Sequence, residues 1–225
     1  MGVATTYVDD ILISDSQITD VLSDYGVRPS TAQCARVRAY ISLLLRWNRS
    51  ISLTSVTDEL EILKFHFGES VFALSVIEGI DGRLADVGAG AGFPGLPIRI
   101  FREALQLTLI EPNAKKAAFL SEVVRELSLD GVQVVRARFQ QVESDFGGKV
   151  DVVASRALGG YEELLRWSEH VLSVDGKIVL WIGERDASEI VKNRVWRWLP
   201  TISIPFSKRR LLLYGSLVRM ESSRA

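Results

Sequence analysis

One stretch, Leu84-Ala85-Asp86-Val87-Gly88-Ala89-Gly90-Ala91-Gly92-Phe93-Pro94-Gly95-Leu96-Pro97, restricts the fold of this chain more than any other. Arg83 to Val87 is a short apolar run carrying one carboxylate, and it leads directly into glycines at 88, 90 and 92 and then Phe93-Pro94-Gly95. Glycine enters positive φ without steric cost and lets a ligand reach bare backbone, so a buried strand followed by a tight turn fits the run. A proline at 94 or 97 suits the first turn of a helix, where its missing N–H leaves no orphan, and that helix is expected over Leu96 to Phe101.

A strand, glycine turn and helix in this order bind a nucleotide-like cofactor, and two chemistries compete for the turn. The dinucleotide fingerprint wants G-x-G-x-x-G and seats a pyrophosphate on the helix N-terminus, but this chain has Phe93 where the third glycine belongs. Its spacing is G-x-G-x-G, with Asp86 two residues before the first glycine. A carboxylate there repels pyrophosphate and favours a ligand with positive charge nearby, such as the sulfonium and ammonium of S-adenosylmethionine. Glu111, nineteen residues past Gly92 at the end of the apolar run Leu105 to Ile110, suits the ribose hydroxyls of either cofactor. The remaining alternative is a turn that only closes a strand-helix corner.

Before this stretch the pattern is helical. Residues 9 to 25 and 30 to 47 read as two helices joined by a turn at Gly26 to Pro29, with Val37, Tyr40, Ile41, Leu44 and Leu45 as a buried stripe. Asp58 can cap a third helix over 59 to 78 that carries His66, Phe67 and Phe72. Residues 1–80 are therefore expected to form a helical extension packed on a core of residues 81–225, as a lid or cover. In that core, strands are expected at 106 to 110, 132 to 135, 150 to 154, 177 to 182, 201 to 205 and 210 to 218. Helices are expected at 114 to 128, 139 to 144, 161 to 172 and 187 to 198. Alternation of this kind implies an α/β fold with a doubly wound, mostly parallel sheet covered on both faces. Five parallel strands with an antiparallel pair at the end resemble the seven-stranded, Rossmann-like fold of S-adenosylmethionine-dependent methyltransferases.

The chain has 225 residues, enough for one substantial domain with an appendage, and 47% hydrophobic with 24% charged residues excludes disordered and fibrous classes. Cys34 is the only cysteine, so a disulfide or cysteine zinc cluster within the chain is excluded and a reducing, cytoplasmic location is expected. No apolar run spans a bilayer, so no membrane association is expected. A net charge of −1 makes a poor general nucleic-acid binder, although Arg36, Arg38, Arg46 and Arg49, Lys115 and Lys116, Arg136 and Arg138, and Lys208, Arg209 and Arg210 form basic clusters that can meet phosphates if they share a face.

Ligands of a doubly wound sheet sit beyond the carboxyl ends of the strands. Five groups fall there: Asp86 with Gly88 and Gly90, Glu111, Arg138-Phe139-Gln140, Ser155-Arg156, and Trp181. Phe139 serves equally as an adenine platform or as core, and Gln140 as an adenine partner or a helix cap. Arg156, placed directly after an apolar strand, must find a carboxylate, a phosphate or a base. His66 and His170 fit structural roles better than catalysis, and without a nearby cysteine they make a poor metal site, so no metal is expected. G-x-S-x-G and P-loop motifs are absent, which leaves hydrolase readings without their hardware.

Trp47-Asn48, Ile51-Ser52-Leu53-Thr54, His66-Phe67, the run from Asp86 to Pro97 and Ser155-Arg156-Ala157 occur in the order and spacing of a known family. From roughly Arg36 to Val218 the chain resembles the bacterial small-subunit ribosomal RNA guanine-N7 methyltransferases, the glucose-inhibited division protein B family. The resemblance implies methylation of guanine N7 in 16S ribosomal RNA with S-adenosyl-L-methionine; the near-neutral charge points to RNA within a ribosomal particle as the substrate, and a monomer acting in the cytoplasm is expected. The resemblance places Gly88 and Phe93 against the cofactor in the turn, with Asp86 and Gly90 part of the same site. It sets Glu111 at the ribose, Phe139 and Gln140 at the adenine, and Arg156 beside the transferring methyl as the catalytic residue. The chain departs from the family at Ile182, where a lysine is usual, at Gln140, where a glutamate is usual, and at Gly68-Glu69-Ser70, in place of a bulkier residue followed by Asp-Ser. The departure at Ile182 favours one rival, a methyltransferase of the same fold for a small molecule or protein; a non-catalytic binding homologue that keeps the fold is a further alternative.

Overall fold

A computed structural model describes residues 13–77, 81–156 and 159–218. Residues 9–12 and 78 of the expected helices, and Ala157 of the family motif, lie outside these. Helix α1 (Asp15–Ser23) and helix α2 (Thr31–Asn48) both open on capping boxes, Ser14 with Gln17 and Ser30 with Gln33, which satisfy the first free N–H groups of each helix. The α2 stripe Val37, Tyr40, Ile41 and Leu44 is buried as expected, and Cys34 lies with it. Asp58 caps α3 (Glu59–Ile62), but the expected continuous helix then widens into a π-helical segment, Leu63–Gly68. It returns to α form in α4 (Glu69–Val71) and tightens to a 3-10 turn at Phe72–Ser75.

The sheet begins with β1 (Arg83–Val87) and continues through α5 (Gly95–Phe101), β2 (Gln106–Ile110), α6 (Ala114–Glu126) and β3 (Val132–Val135). A 3-10 turn at Phe139–Gln141 and α7 (Glu143–Phe146) lead to β4 (Val150–Arg156), α8 (Tyr161–Val171), β5 (Leu172–Ile182) and α9 (Glu184–Ile190). Three strands close the order: β6 (Trp196–Trp198), β7 (Ile202–Ser203) and β8 (Leu211–Leu217). Strands β1 to β5 run parallel in the order β3-β2-β1-β4-β5, so the direction of winding switches between β1 and β4.

The structure departs from three expectations. The last two strands pair antiparallel as expected, β7 with β8, but β8 also inserts between β5 and the unexpected strand β6, antiparallel to both. Leu211 and Leu212 pair with β7, and Gly215 to Leu217 with β6, so the two short strands share one edge of β8 in succession. The seventh strand is thereby split, and the sheet counts eight. The helix expected over 187 to 198 is α9 alone; Trp196 and Trp198 lie on one side of β6 and stack at 5.5 Å, a strand periodicity hidden in a stretch that also fits a helix. The strand expected from 177 begins at Leu172 instead, so Asp175 and Gly176 are extended backbone within β5, accommodated by a register shift against Val150 and Val152 of β4.

Alternation along the strands divides the interior in two. Leu84, Leu107, Leu109, Val152, Ala154, Val179 and Trp181 pack with α1, α2, α5 and α6. Ala85, Val87, Ile110, Val153, Ile178, Leu180 and Ile182 pack with α8 and α9. By the same period of two, Asp86 and Arg156 face the side covered by the N-terminal helices. Gly68 belongs to that cover: the ring of Tyr25 lies across it, so close that an added Cβ would overlap Tyr25 Cε2, and the phenol donates to Lys64 O at 3.0 Å. A bulkier residue has no room at 68 beside this tyrosine. Gly68→Ala is expected to destabilise the chain by about 1–3 kcal/mol in urea unfolding, the cost of overpacking. Added to Tyr25→Leu, it is expected to cost clearly less than it does alone, a coupling that a double-mutant cycle reads directly.

Candidate functional site

The carboxyl ends of β1 and β4 lie side by side at the switch in winding direction, with Asp86 opposite Ala154 and Ser155 Oγ donating to Val87 O at 2.8 Å. After Val87 the chain enters the left-handed region at Gly88 (φ 72°), Gly90 (φ 58°) and Gly92 (φ 88°). The turn is tied to β2: the N–H groups of Gly88 and Ala89 both donate to Ile110 O, and that of Gly90 donates to Glu111 Oε2 at 2.9 Å. Glu111 Oε1 accepts from Asn113 N at 2.8 Å, so each oxygen has one backbone partner and retains lone pairs for a further donor.

Helix α2 braces the turn from above. The Tyr40 ring stacks on Phe93 (5.3 Å, 4° between planes), and its hydroxyl donates to Ala91 O at 2.5 Å. A Cβ on Gly92 would overlap that hydroxyl, so the left-handed glycine is needed for contact as well as for conformation. Phe93 itself is 6% exposed and lies among Tyr40, Phe67 and His66, with the Arg156 guanidinium carbon 5.5 Å from its ring centre.

Asp86 is fully buried. Its Oδ2 accepts from Gly95 N at 2.8 Å, while Oδ1 has no partner. Burial pushes its pKa up to about 7, against the pull of the Gly95 hydrogen bond and of Arg156. An ionised carboxylate kept dry with one oxygen unanswered is a site that wants a cationic donor.

Arg156 ends β4 and reaches back into the π-helical segment. NH1 donates to Phe65 O at 3.0 Å and Glu69 Oε2 at 3.4 Å, and NH2 to His66 Nδ1 at 2.8 Å, using three of its five N–H groups. Burial and the neighbouring Arg210 lower its pKa to about 10, which leaves it charged at neutral pH. Because a guanidinium only donates, His66 Nδ1 must accept; the imidazole proton is therefore on Nε2, facing Thr54 Oγ1 at 2.7 Å. Burial and Arg156 hold the His66 pKa down to about 3, so the ring is neutral and both its nitrogens are engaged. Thr54 is in turn held by Asn48, whose side chain bonds Leu53 N, Thr54 N and Thr54 O. The motif residues at 48, 54, 66 and 156 thus form one polar chain.

Glu69 (2% exposed) receives Arg156 and also Arg210 from the β7–β8 loop. Two cations share one carboxylate, which leaves one positive charge in excess. The sequence pattern misses Glu69 and Arg210 as partners; the signal is a lone acid in the aromatic-rich helical stretch from Phe65 to Phe72. Trp181, expected at a strand end open to a ligand, is 1% exposed with its Nε1 donating to Glu69 O at 2.6 Å, so stacking on a base is closed to it. Ile182 belongs to the apolar cluster on the opposite face of the sheet.

Phe139 lies on that other face, half-buried and edge-on to Trp167 at 5.6 Å. Gln140 is exposed, and its amide donates to Glu163 Oε2 at 2.8 Å. The structure therefore groups Asp86, Phe93 and Arg156 under the N-terminal helices, sets Phe139 and Gln140 on the far side, and places Glu111 on the β2 end against the turn. A groove of about 440 Å³ opens at the amino-terminal ends of β1, β2 and β3, lined by Arg83, Gln106, Thr108, Gly131 and Lys149, and none of the expected site residues borders it. Among the described residues no group of three or more His, Cys, Asp or Glu side chains is placed to hold a metal ion, and no helix is long and apolar enough to cross a membrane.

The sequence model of the GidB family, described as rRNA small subunit methyltransferase G, matches residues 33–199. A protein of Neisseria meningitidis named ribosomal RNA small subunit methyltransferase G is 41% identical over 141 residues, covering 63% of this chain and 66% of that protein. One of the same name from Roseiflexus castenholzii is 34% identical over 181 residues, covering 80% of this chain and 77% of that protein. Among solved structures, a SAM dependent methyltransferase from Aquifex aeolicus matches with a TM-score of 0.57 at 15% identity, over 70% of this chain and 93% of that one, a likeness of fold.

The buried charge at Asp86 carries a testable sign. Its folded pKa is raised above the unfolded value of about 3.8, so its contribution is fully present at low pH and is lost as pH rises through about 7. The ligand-free Asp86→Asn variant is expected to match the parent near pH 4 and to exceed it in unfolding free energy at pH 8, as chemical denaturation across that window will read.

Proposed function

The chain belongs to the rRNA small subunit methyltransferase G family, and on that premise we propose that it transfers a methyl group from S-adenosyl-L-methionine to N7 of a guanine in 16S ribosomal RNA. The observation that carries the cofactor reading is Asp86 Oδ1, buried and unpartnered where the winding of the sheet reverses. A cationic methyl donor answers that oxygen, whereas a pyrophosphate is repelled by it. S-adenosylmethionine, when bound, supplies an electrophilic methyl on a sulfonium.

The residues fit such a ligand in order. Asp86 faces its cationic amino-acid end, and the backbone of Gly88 and Gly90 lines it with Phe93 behind. Glu111 takes the ribose hydroxyls on its free lone pairs, and Phe139 and Gln140 flank the adenine. Gln140 reaches that role by leaving Glu163, a bond between exposed groups that costs little to break.

Guanine N7 offers a lone pair and no proton, so no general base is required of the protein. The chemistry agrees with the state of His66, which is neutral, doubly engaged and, with its pKa lowered to about 3, a poor base. The protein's task is to hold nucleophile and methyl in line, an effect worth on the order of 7–11 kcal/mol for well-oriented reactants. Arg156 is the residue for it: fixed on three sides, it has two N–H groups left to orient the base. With a net charge of −1 the chain has little general attraction for RNA, which favours a folded ribosomal particle as the substrate, met by a monomer in the cytoplasm.

Nucleoside mass spectrometry of small-subunit ribosomal RNA, with and without the gene, tests the reaction. Loss of N7-methylguanosine is expected on deletion, and an unchanged level overturns the assignment. Glu111→Gln turns one acceptor into a donor facing Gly90 or Asn113, and is expected to weaken S-adenosylmethionine binding about tenfold or more by calorimetry.

A further inference from the structure

The loop between β7 and β8 carries a residue that folding does not account for. Ser207 N donates to Ile204 O at 3.1 Å, which closes a tight turn with Pro205 in its second position and Phe206 in its third. Phe206 has φ 59°, in the left-handed region where glycine is at ease and a side chain is strained. The residue is nevertheless 61% exposed, the one aromatic among the exposed large apolar side chains of the described residues. The packing it does have is edge-on against Tyr25 at 6.0 Å. Strain and exposed apolar surface are thus both retained for little burial.

The neighbours of Phe206 define what would cover it. Lys208 and Arg209 are exposed and make no ion pair among the described residues, while Arg210 is drawn inward to Glu69. Two exposed cations, Lys208 and Arg209, beside an aromatic face, on a chain whose net charge is −1, match the phosphates and bases of a nucleic-acid strand. The loop is also built into the site. Ile204 is buried at its root, Arg210 N donates to Ser207 Oγ, and Arg210 meets the carboxylate that holds Arg156. Tyr25, under the Phe206 ring, presses on Gly68, the neighbour of Glu69.

We infer that residues 204–210 are a contact surface for unpaired RNA, with Phe206 stacking on a base and Lys208 and Arg209 meeting phosphates beside it. Unstacked bases are held this way because every base offers a π face, and the flanking cations track the backbone. The inference rests on reading the chain as a ribosomal RNA methyltransferase and names the element that grips the strand near the target.

The test uses the full chain and a fluorescently labelled single-stranded oligoribonucleotide, with binding read by anisotropy over a range of salt concentrations. Phe206→Gly is expected to weaken binding about tenfold, while Phe206→Trp retains it. Lys208→Ala combined with Arg209→Ala is expected to lower the salt dependence of log affinity by about 0.7 for each phosphate that is no longer neutralised. Because glycine relieves the strain at 206, Phe206→Gly should unfold at no lower temperature than the parent and bind S-adenosylmethionine equally well. The inference is overturned if Phe206→Gly binds the RNA as the parent does, or if the parent does not bind it. Binding of the parent to anionic phospholipid vesicles in place of RNA overturns it as well. A parent that grips RNA through Phe206 yet transfers no methyl removes the proposed reaction and keeps the loop's role. Equal RNA binding and equal methylation by parent and Phe206→Gly remove the loop's role and keep the reaction.

Discussion

The arrangement depends on one buried guanidinium. Arg156 stands at the end of a parallel strand, where the period of two aims it into the face covered by the N-terminal helices. A charge in that position is tolerated only with close partners, and the chain supplies a carboxylate, a backbone carbonyl and an imidazole lone pair from a single helical segment. The consequences run outward. Glu69 is buried against it, Arg210 is drawn in from the β7–β8 loop to the same carboxylate, and His66 must present a bare nitrogen, which fixes its tautomer and passes the constraint to Thr54 and Asn48. A strand terminus, a helical cover and a distant hairpin are thereby held in one register by a single side chain.

The cofactor side of the site follows a different logic, in which backbone does most of the binding. Peptide groups of the glycine turn are oriented by Ile110, Glu111 and Tyr40 before any ligand arrives. The unsatisfied oxygen on this side, Asp86 Oδ1, is buried, and its carboxyl is held only partly ionised near pH 7, so a bound cation both answers the oxygen and favours the charged form. Tyr40 shows that the helical cover takes part in this preparation: it comes from the middle of α2, and its hydroxyl is among the nearest atoms to Gly92.

Glycines at alternate positions, an acid before them and an acid after the next strand are local marks of a turn that must bend and bind, and the strand-turn-helix unit is legible from them alone. Arg156 is legible for a related reason, since a cation beside an apolar strand has to find a partner; the partner, Glu69, is 87 residues away and becomes visible only once the sheet brings the two together. Trp181 departs from its expected place because a strand-end aromatic can face either side of a sheet, and parity is set by neighbours the sequence does not display. The helix expected through Trp198 fails similarly, because three residues of β6 exist only by pairing with β8. The π-helical widening at Leu63–Gly68 leaves no composition signal; in the fold it carries the Phe65 O and His66 that meet Arg156.

That widening also constrains how the chain can vary in length. A π-helical turn holds about one residue more than an α-helical turn, so loss of a single residue between Leu63 and Gly68 would restore the tighter pitch with α3 and α4 near their present phase, but would change the angular spacing of the side chains between them. His66 and Glu69, which grasp the same guanidinium from neighbouring turns, would then face different directions. Substitutions in this segment can be absorbed one side chain at a time, but an insertion or deletion puts the whole clasp out of phase, and length here should be the more strictly inherited property.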